Sequence, residues 1–319
     1  MEQNLLEVKN LRVHYVTDTE DVQAVNGVNL HLKKGEVLGL VGETGAGKTT
    51  VALSVMQLVP DPPGIILDGE ILFKGKNLIY NSDRENQEMR GNGISMIFQD
   101  PMTALNPIMT IGQQLAEVVI KHKKLSKKAA MEVAAEMLER VGVTRDRIND
   151  YPHQFSGGMK QRAIIAMALL CNPEILIADE PTTALDVTIQ AQVLVIIRSL
   201  IRENEMSMIL ITHDLGVVAE TCDQVAIMYA GEVVEYGSVW DVYTNPKHPY
   251  TRGLFDSIPK MDVDDERLSP IPGLAPNSTA LPSGCYFHPR CKYCQERCRE
   301  QSPAMKGDTH QYKCWLDFE

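Results

Sequence analysis

The chain has 319 residues, of which 44% are hydrophobic and 23% charged, so its composition is that of an ordinary globular protein. This length allows one large domain with a small appendage, or two medium domains. The net charge of −11 argues against a general nucleic-acid binder, because such a surface repels phosphate backbones. We expect neither a signal peptide nor a membrane span, since no apolar run approaches the ~20 residues that a span needs.

Apolar patterning predicts alternating strands and helices along most of the chain. The predicted strands are 5–13, 24–32, 36–41, 94–98, 175–178, 208–211 and 225–229. The predicted helices are 47–59, a helix that begins after Ser126 as its N-cap, and 159–170. This alternation predicts an α/β fold with a mostly parallel sheet and helices on its faces. No internal repeat is visible, so we expect a single copy of this fold.

The composition changes near Ile258, where the density of prolines rises. Regular structure is interrupted there by Pro259, Pro270, Pro272, Pro276 and Pro282. We therefore predict one large domain over 1–257, followed by a small loop-rich extension over 258–319.

The segment Gly42–Thr49 has the pattern G-x-x-x-x-G-K-[ST] and lies between a predicted strand and a predicted helix. Its glycines let backbone N–H groups turn toward β- and γ-phosphates, and the helix N-terminus adds a partial positive charge. Lys48 supplies a charge to the phosphates, and the Thr49 hydroxyl can ligate Mg²⁺. A glycine-rich turn that merely precedes a lysine is the alternative. The predicted ATP contacts in this region are Gly42, Thr44, Gly45, Ala46, Gly47, Lys48, Thr49 and Thr50.

Catalytic side chains are predicted at the ends of three apolar strands. Asp179 can hold Mg²⁺ through water, and Glu180 can orient and deprotonate the attacking water. Gln99 can reach the Mg²⁺ or the water, and His213 can contact a γ-phosphate. A strand followed by acids is common, so these roles depend on the phosphate loop that accompanies them.

A second helix N-terminus offers free N–H groups at Ser156, Gly157 and Gly158. One chain with one nucleotide has no obvious use for a second anion site. Two chains arranged head to tail do, because each can close the other's site. We therefore predict that these three residues bind ATP in trans.

These motifs, in this order, resemble those of an ATP-binding cassette ATPase over about residues 5–257. The resemblance implies a P-loop ATPase core, an antiparallel β subdomain and a helical subdomain at about 100–158. It also implies that Tyr15 stacks on adenine, that Asp186, in Ala184-Leu185-Asp186, lies in the loop that meets the partner subunit, and that His213 is the switch histidine. One departure is the signature, in which Phe155 and Met159 replace the commoner Leu and Gln, while the Ser and Gly residues are intact.

Residues 245–251, Pro272-Gly273 and the cysteines that follow are similar to those of ATPases from oligopeptide and dipeptide importers. This resemblance implies a subunit that uses ATP and Mg²⁺ to power peptide import, peripheral on the cytoplasmic face of the membrane. The implied partners are a homologous or identical ATPase subunit, two transmembrane permease subunits and, indirectly, a solute-binding protein. Nickel importers share these features, so import of nickel or another small solute is an alternative.

Other classes fit less well. Cassette ATPases of DNA repair and chromosome organisation carry long coiled coils between Gln99 and the signature, and residues 100–155 leave no room for them. Ribosome-associated cassette proteins normally carry two cassettes. A redox- or iron-sensing regulatory ATPase is the remaining alternative, suggested by the cysteines of the extension.

Five cysteines in the extension have the spacing C-x5-C-x2-C-x3-C-x15-C. Four thiolates suffice for a [4Fe-4S] cluster or a zinc ion, and structural zinc favours two short cysteine pairs that this spacing lacks. In the importer subfamily that the extension resembles, the shared positions fall on Cys285, Cys291, Cys298 and Cys314, which leaves Cys294 out. We expect a [4Fe-4S] cluster that acts as a structural staple, with zinc as second choice and free thiols as third.

Overall fold

The computed structural model describes residues 4–99, 104–183, 186–257 and 271–318. The predicted boundary at 258 and most of the prolines just after it lie outside these ranges. Within them, none of the helices combines the length and the apolar character needed to cross a membrane.

The strands of the described ranges include all those that the sequence predicts, together with several others. Their bounds are β1 Leu6–Val16, β2 Asp21–Leu32, β3 Val37–Val41, β4 Gly64–Phe73, β5 Lys76–Asn77, β6 Ile94–Ile97, β7 Ile175–Asp179, β8 Ser207–Ile211, β9 Gln224–Tyr229, β10 Glu232–Ser238 and β11 Gln311–Tyr312.

The helices of these ranges begin mostly at side-chain caps or prolines. Their bounds are α1 Lys48–Val55, α2 Asp83–Met89, α3 Ile111–Lys123, α4 Lys127–Arg140, α5 Gly157–Leu169, α6 Val187–Glu203, α7 Leu215–Thr221, α8 Val239–Thr244, α9 Pro249–Asp256 and α10 Glu296–Glu300. Ser126 caps α4 as predicted, because its hydroxyl accepts from the Ala129 N–H at 3.3 Å.

The chain forms two compact units. The P-loop unit comprises Leu5–His31, Leu38–Asn77 and Thr212–Glu319, and the helical unit comprises Leu32–Val37 and Leu78–Ile211.

The P-loop unit contains both antiparallel and parallel strand pairs. One antiparallel sheet has the order β2-β1-β4-β5. A second group has the order β11-β10-β9-β3, in which β3 and β9 are parallel and the others antiparallel. The side chains of Val225, Ala226, Ile227 and Met228 on β9 are fully buried, and this buried layer supports the loop that follows β3.

The helical unit contains the parallel strands β8-β7-β6 and the helices α2 to α6. In β7 every residue from Ile175 to Ala178 is fully buried, which places the following acids at the end of a rigid strand. Helices α3 and α4 pack on each other, and α5 contacts both. Val119 on α3 and Ala134 and Leu138 on α4 are fully buried. The predicted fold class, a P-loop ATPase type of α/β protein with an antiparallel subdomain and helices, is confirmed.

Candidate nucleotide-binding site

The phosphate loop Gly42–Thr49 lies between β3 and α1, as predicted. Gly45 and Gly47 have φ angles of +82° and +97°, which other residues rarely adopt. A Cβ on Gly47 would lie 2.4 Å from the backbone oxygen of Ala24, and one on Gly42 would lie 2.2 Å from a backbone oxygen of β9. The loop therefore requires glycine at both ends for its shape.

Lys48 folds back over the same loop. Its side chain is buried, and Nζ donates to the backbone oxygens of Gly42 at 2.7 Å and Glu43 at 2.9 Å. Tyr15, predicted to stack on adenine, places its hydroxyl 3.5 Å from the Thr50 hydroxyl in the first turn of α1. The P-loop unit thus pairs predicted ATP contacts with one another, Lys48 with Gly42 and Tyr15 with Thr50.

The helical unit brings together the predicted acid pair and Gln99. Asp179 is buried at the end of β7, and Glu180 follows with a left-handed φ of +45°, its N–H donating to the Ile211 oxygen at 2.9 Å. The Glu180 carboxylate accepts from Gln99 Nε2 at 3.0 Å and from the Thr183 hydroxyl at 2.8 Å. A non-glycine residue with positive φ at this point marks a strained turn of the kind found at functional sites.

The signature residues lie at the N-terminus of α5. The exposed Ser156 caps the helix by accepting from the Met159 N–H at 3.4 Å. A Cβ on Gly157 would meet nothing within 4 Å, whereas one on Gly158 would lie 2.9 Å from the Ile189 side chain. Gly157 is therefore open to a ligand, and Gly158 allows α6 to approach closely.

The two residues that depart from the common signature lie in different environments. Phe155 is 5% exposed and packs in the core of the helical unit, where a large apolar side chain fits as leucine would. Met159 lies beyond the cap and contributes its N–H to Ser156. Asp186 is exposed and caps α6 by accepting from the Ile189 N–H at 2.9 Å, while the preceding Ala184 and Leu185 lie outside the described residues.

His213 follows β8 and lies in the P-loop unit, with its residue exposed. The neighbouring Thr212 hydroxyl accepts from the Asp214 N–H at 3.0 Å, and Asp214 in turn caps α7. This local bonding fixes the turn that carries His213.

Four cysteines of the extension line one pocket: Cys285, Cys291, Cys298 and Cys314. The fifth, Cys294, is absent from the lining, and its Sγ lies 3.5 Å from the Gln295 oxygen. The pocket therefore separates the four predicted ligands from the cysteine that was left out.

Burial raises the pKa of the Cys285 thiol to about 12 and that of the Cys291 thiol to about 11, and the neighbouring cysteines add to both shifts. All seven cysteines are free thiols. Among the residues that the structure describes, no three His, Cys, Asp or Glu side chains converge as a ligand set for a single metal ion.

Sequence reasoning missed several supporting residues. Thr183 and Gln161 contact the segment around Glu180, and the Gln161 amide donates to the Pro181 oxygen. In the P-loop unit, the Arg290 guanidinium pairs with the carboxylate of Glu43 in the phosphate loop, and the Tyr250 hydroxyl accepts from the Glu43 N–H. The signature position of Gln161 offered a weak signal, and no local pattern pointed to the others.

A strand, a glycine-shaped phosphate loop and a helix that begins at its lysine define a P-loop nucleotide-binding protein. The acids at the end of β7 and the Ser-Gly-Gly start of α5 are the further features by which the sequence resembles an ATP-binding cassette ATPase.

Comparison with protein families gives two matches. Residues 25–183 match the family described as ABC transporter, and residues 234–298 match the family described as oligopeptide/dipeptide transporter, C-terminal region.

Individual relatives are similar over nearly the whole chain. The oligopeptide transport ATP-binding protein OppD of Bacillus subtilis is 52% identical over 317 residues, which are 98% of this chain and 88% of that protein. The dipeptide transport ATP-binding protein DppD of the same organism is 50% identical over 318 residues, 98% of this chain and 95% of that protein. The chain belongs to the family of ATP-binding subunits of oligopeptide and dipeptide ABC transporters.

Solved structures of ATP-binding cassettes are similar to this chain in fold. A dimeric ATP-binding cassette in a post-hydrolysis state with ADP and phosphate is 28% identical, covers 73% of this chain and 98% of its own, and has a TM-score of 0.66. The cassette cbiO1 of Clostridium perfringens, also 28% identical, covers 76% of this chain and 92% of its own, with a TM-score of 0.64.

The predicted family is therefore confirmed, and with it the prediction of an ABC-type ATPase that powers peptide transport. Neither family description mentions iron or zinc, so the metal in the extension remains a prediction.

Proposed function

We propose that this chain binds ATP and Mg²⁺ on the phosphate loop and hydrolyses the ATP to drive import of dipeptides and oligopeptides. Lys48 and the loop amides hold the phosphates, and Tyr15 stacks on the adenine. Thr49, Gln99 and Asp179 supply the oxygen ligands that Mg²⁺ prefers. The observation that carries the hydrolytic role is the Glu180 carboxylate, fixed by hydrogen bonds from Gln99 and Thr183 beside the buried Asp179.

Glu180 acts as the general base in this proposal. Gln99 Nε2 and the Thr183 hydroxyl both donate to its Oε2, and these two hydrogen bonds prevent the side chain from rotating away. The ionised carboxylate is then held ready to accept a proton from water. His213 contacts the γ-phosphate from the turn after β8. Ser156, Gly157 and Gly158 complete the nucleotide site of the partner chain, with Asp186 at the subunit contact. This role is supported by the exposure of Ser156 and Gly157 at the N-terminus of α5, where a Cβ on Gly157 would meet nothing within 4 Å.

The proposed assembly has an identical or homologous ATPase partner, two transmembrane permease subunits and, indirectly, a solute-binding protein. It lies on the cytoplasmic face of the membrane and does not bind nucleic acid. The proposed division is a cassette over 1–257, with its helical subdomain at about 100–158, and an extension over 258–319. The family match at residues 234–298 supports the peptide cargo, since its description names oligopeptide and dipeptide transporters.

The cargo is tested in a host strain from which the gene for this chain has been deleted. Uptake of a labelled tripeptide and of radioactive nickel is measured with an empty vector, the wild-type gene and the Glu180→Gln gene. We expect the wild type alone to restore peptide uptake, with nickel uptake the same in all three strains. Restoration of nickel uptake without peptide uptake would establish the nickel alternative.

For the extension we propose a [4Fe-4S] cluster held by Cys285, Cys291, Cys298 and Cys314. The four thiols line one pocket and Cys294 does not, which supports this ligand set. Four thiolates also suffice for a zinc ion, which is the second choice at this site. The cluster, when bound, supplies a cross-link and a counter-charge for buried thiolates.

The cluster is tested by anaerobic purification with iron, sulfide and zinc analysis and a visible spectrum. We expect about four irons per chain, lost in Cys298→Ser and retained in Cys294→Ser, which is the matched control. Colourless protein with one zinc would overturn the cluster, and the reverse pattern of the two variants would overturn the ligand choice. An ATPase rate that changes with redox state would favour the redox-sensing alternative.

A further inference from the structure

An ion pair joins the phosphate loop to the C-terminal extension. The Arg290 guanidinium donates from Nη1 to Glu43 Oε2 at 2.8 Å and from Nη2 to Glu43 Oε1 at 3.1 Å. The pair is therefore bidentate, and its side chains are 7% and 30% exposed for Arg290 and Glu43. Bidentate pairs removed from water are stronger and more directional than exposed single contacts.

Both partners are held by further contacts. Arg290 Nε donates to the Pro272 oxygen at 3.0 Å, and Nη1 lies 3.4 Å from the Tyr229 hydroxyl. The Glu43 N–H donates to the Tyr250 hydroxyl at 3.0 Å. The rings of Tyr229 and Tyr250 pack together with a centroid distance of 4.6 Å. The ion pair is thus one of several contacts that hold Glu43 of the phosphate loop in place.

Glu43 bears directly on the lysine that holds the phosphates. Its backbone oxygen accepts from Lys48 Nζ at 2.9 Å, so a shift of Glu43 shifts the lysine. Its carboxylate is also a negative charge in the loop that binds a polyphosphate, and without a counter-charge it would repel the nucleotide. Arg290 both orients this residue and neutralises it.

Arg290 is placed by the turn between two of the pocket cysteines. The turn His288–Arg290 follows Cys285 and precedes Cys291. The His288 N–H donates to the Cys285 oxygen at 2.9 Å, and the Cys291 N–H donates to the His288 oxygen at 3.3 Å. A change in either cysteine therefore moves the segment that presents the guanidinium.

We propose that Arg290 is a positioning residue for the phosphate loop, and that the state of the cysteine pocket acts on ATP affinity through its ion pair with Glu43. This inference rests on the proposed ATP site, and the extension then regulates that site instead of only bracing the fold.

The first test is a double-mutant cycle on the full chain, with ATP affinity measured by equilibrium binding and turnover measured separately. Arg290→Gln leaves Glu43 unpaired in the loop, so we expect the Kd and KM for ATP to rise about tenfold or more with little change in kcat. Adding Glu43→Gln removes the unpaired charge, and we expect the double variant to recover most of the affinity. A structural defect alone would not be repaired by a second substitution.

Arg252→Gln is the matched control. Arg252 also contacts the extension, with its guanidinium 4.1 Å from the Phe318 ring centroid, and its Nε donates to the Pro246 oxygen at 2.8 Å, a residue outside the phosphate loop. We expect its ATP affinity to equal that of the wild type. Equal affinity of Arg290→Gln and wild type would overturn the inference, and so would a double variant no better than Arg290→Gln.

Lys48→Ala separates this inference from the proposed ATP site. Loss of binding in Lys48→Ala together with normal binding in Arg290→Gln would reject only the role of Arg290. Normal binding in Lys48→Ala would reject the proposed site itself.

The second test asks whether Arg290 transmits the state of the pocket. Cys291→Ser is compared with Cys294→Ser, in the wild type and in the Glu43→Gln/Arg290→Gln background. We expect Cys291→Ser to weaken ATP binding several-fold in the wild type only, and Cys294→Ser to have no effect in either. An equal effect of Cys291→Ser in both backgrounds, or no effect in the wild type, would show that the pocket does not act through this pair.

Discussion

At the scale of single residues, the strained turn at Glu180 explains how one carboxylate can be held ready for catalysis. Its left-handed backbone is stabilised by the N–H donated to Ile211, and its side chain is fixed by Gln99 and Thr183. Such strain persists only where the surroundings determine the geometry, as they do here at the end of a fully buried strand. The turn therefore presents the carboxylate without a search among rotamers.

Glu180→Gln should lower the ATP turnover number by roughly 10²–10⁴-fold, because the amide cannot take the proton from water. Binding should survive, and the variant should accumulate as an ATP-bound dimer. The measurements are phosphate release under saturating ATP and size-exclusion chromatography with ATP. Lys48→Ala is the control, in which nucleotide affinity is lost instead. Near-normal turnover in Glu180→Gln would remove the assignment of the base.

The residues found by sequence motif and those missed differ in how far their partners lie along the chain. Lys48 and Asp179 belong to short local patterns, so they could be predicted. Arg290 meets Glu43 across 247 positions, and nothing near either residue indicates the contact. Such pairs become visible only when the fold brings distant segments together.

At the scale of elements, Ser156 at the start of α5 has one structural role and one proposed functional role. Ser156 caps the helix, and it is proposed to bind the ATP of a partner chain. Ser126 caps α4 with nearly the same geometry, its hydroxyl accepting from the N–H three residues on at 3.3 Å compared with 3.4 Å for Ser156. The two helices therefore offer a matched pair in which only one cap is proposed to act on ATP.

Ser156→Arg and Ser126→Arg should each lose a cap worth about 0.5–2 kcal/mol and place a cation at a helix N-terminus. Only Ser156→Arg should abolish hydrolysis, while it still binds ATP at its own Lys48. Thermal unfolding, nucleotide binding and phosphate release are measured for both. The sandwich arrangement is wrong for this chain if both variants hydrolyse ATP alike, or if the wild-type rate per chain does not depend on protein concentration.

The bounds of an element could be predicted where nearly all of its residues are buried, and they were predicted less well elsewhere. The apolar runs of β7 and β9 are found within a residue or two of their predicted positions. Helix α1 ends at Val55 instead of 59, because Gln57 has a left-handed φ of +52° and Pro60 follows. Strand β4 was missed, since Ile65 and Leu67 are 43% and 53% exposed and blur its alternation.

At the scale of the whole molecule, the extension is integrated into the P-loop unit. Its residues 271–318 contribute Phe287, which is 4% exposed and packs edge-on against Tyr229 at a centroid distance of 5.2 Å. Strand β11 pairs with β10, and the Lys313 N–H donates to the Val234 oxygen at 2.8 Å. Proline and cysteine content alone could not indicate which surface the extension covers.

A buried carboxylate connects the extension with the preceding helix. Glu235 on β10 is fully buried and accepts from the Lys247 N–H at 2.7 Å and the His248 N–H at 2.8 Å, at the start of α9. His310 Nε2, just before β11, lies 2.7 Å from the same carboxylate. One side chain thereby satisfies two buried backbone donors and anchors the extension.

Glu235→Gln should lower the free energy of unfolding by about 1–3 kcal/mol, because the amide nitrogen is a donor placed against donors that then lose their acceptor. Glu203→Gln is the matched control, since Glu203 is 52% exposed and pairs with Arg140 at the surface, where such a pair contributes less than about 1 kcal/mol. Urea unfolding followed by far-UV circular dichroism measures both variants, and fluorescence of Trp240 and Trp315 reports on the P-loop unit, which contains Glu235. His310→Ala should show part of the same loss, and it should add little to Glu235→Gln, since the two changes break one shared contact. Equal costs for Glu235→Gln and Glu203→Gln would mean that the buried carboxylate does not anchor the extension.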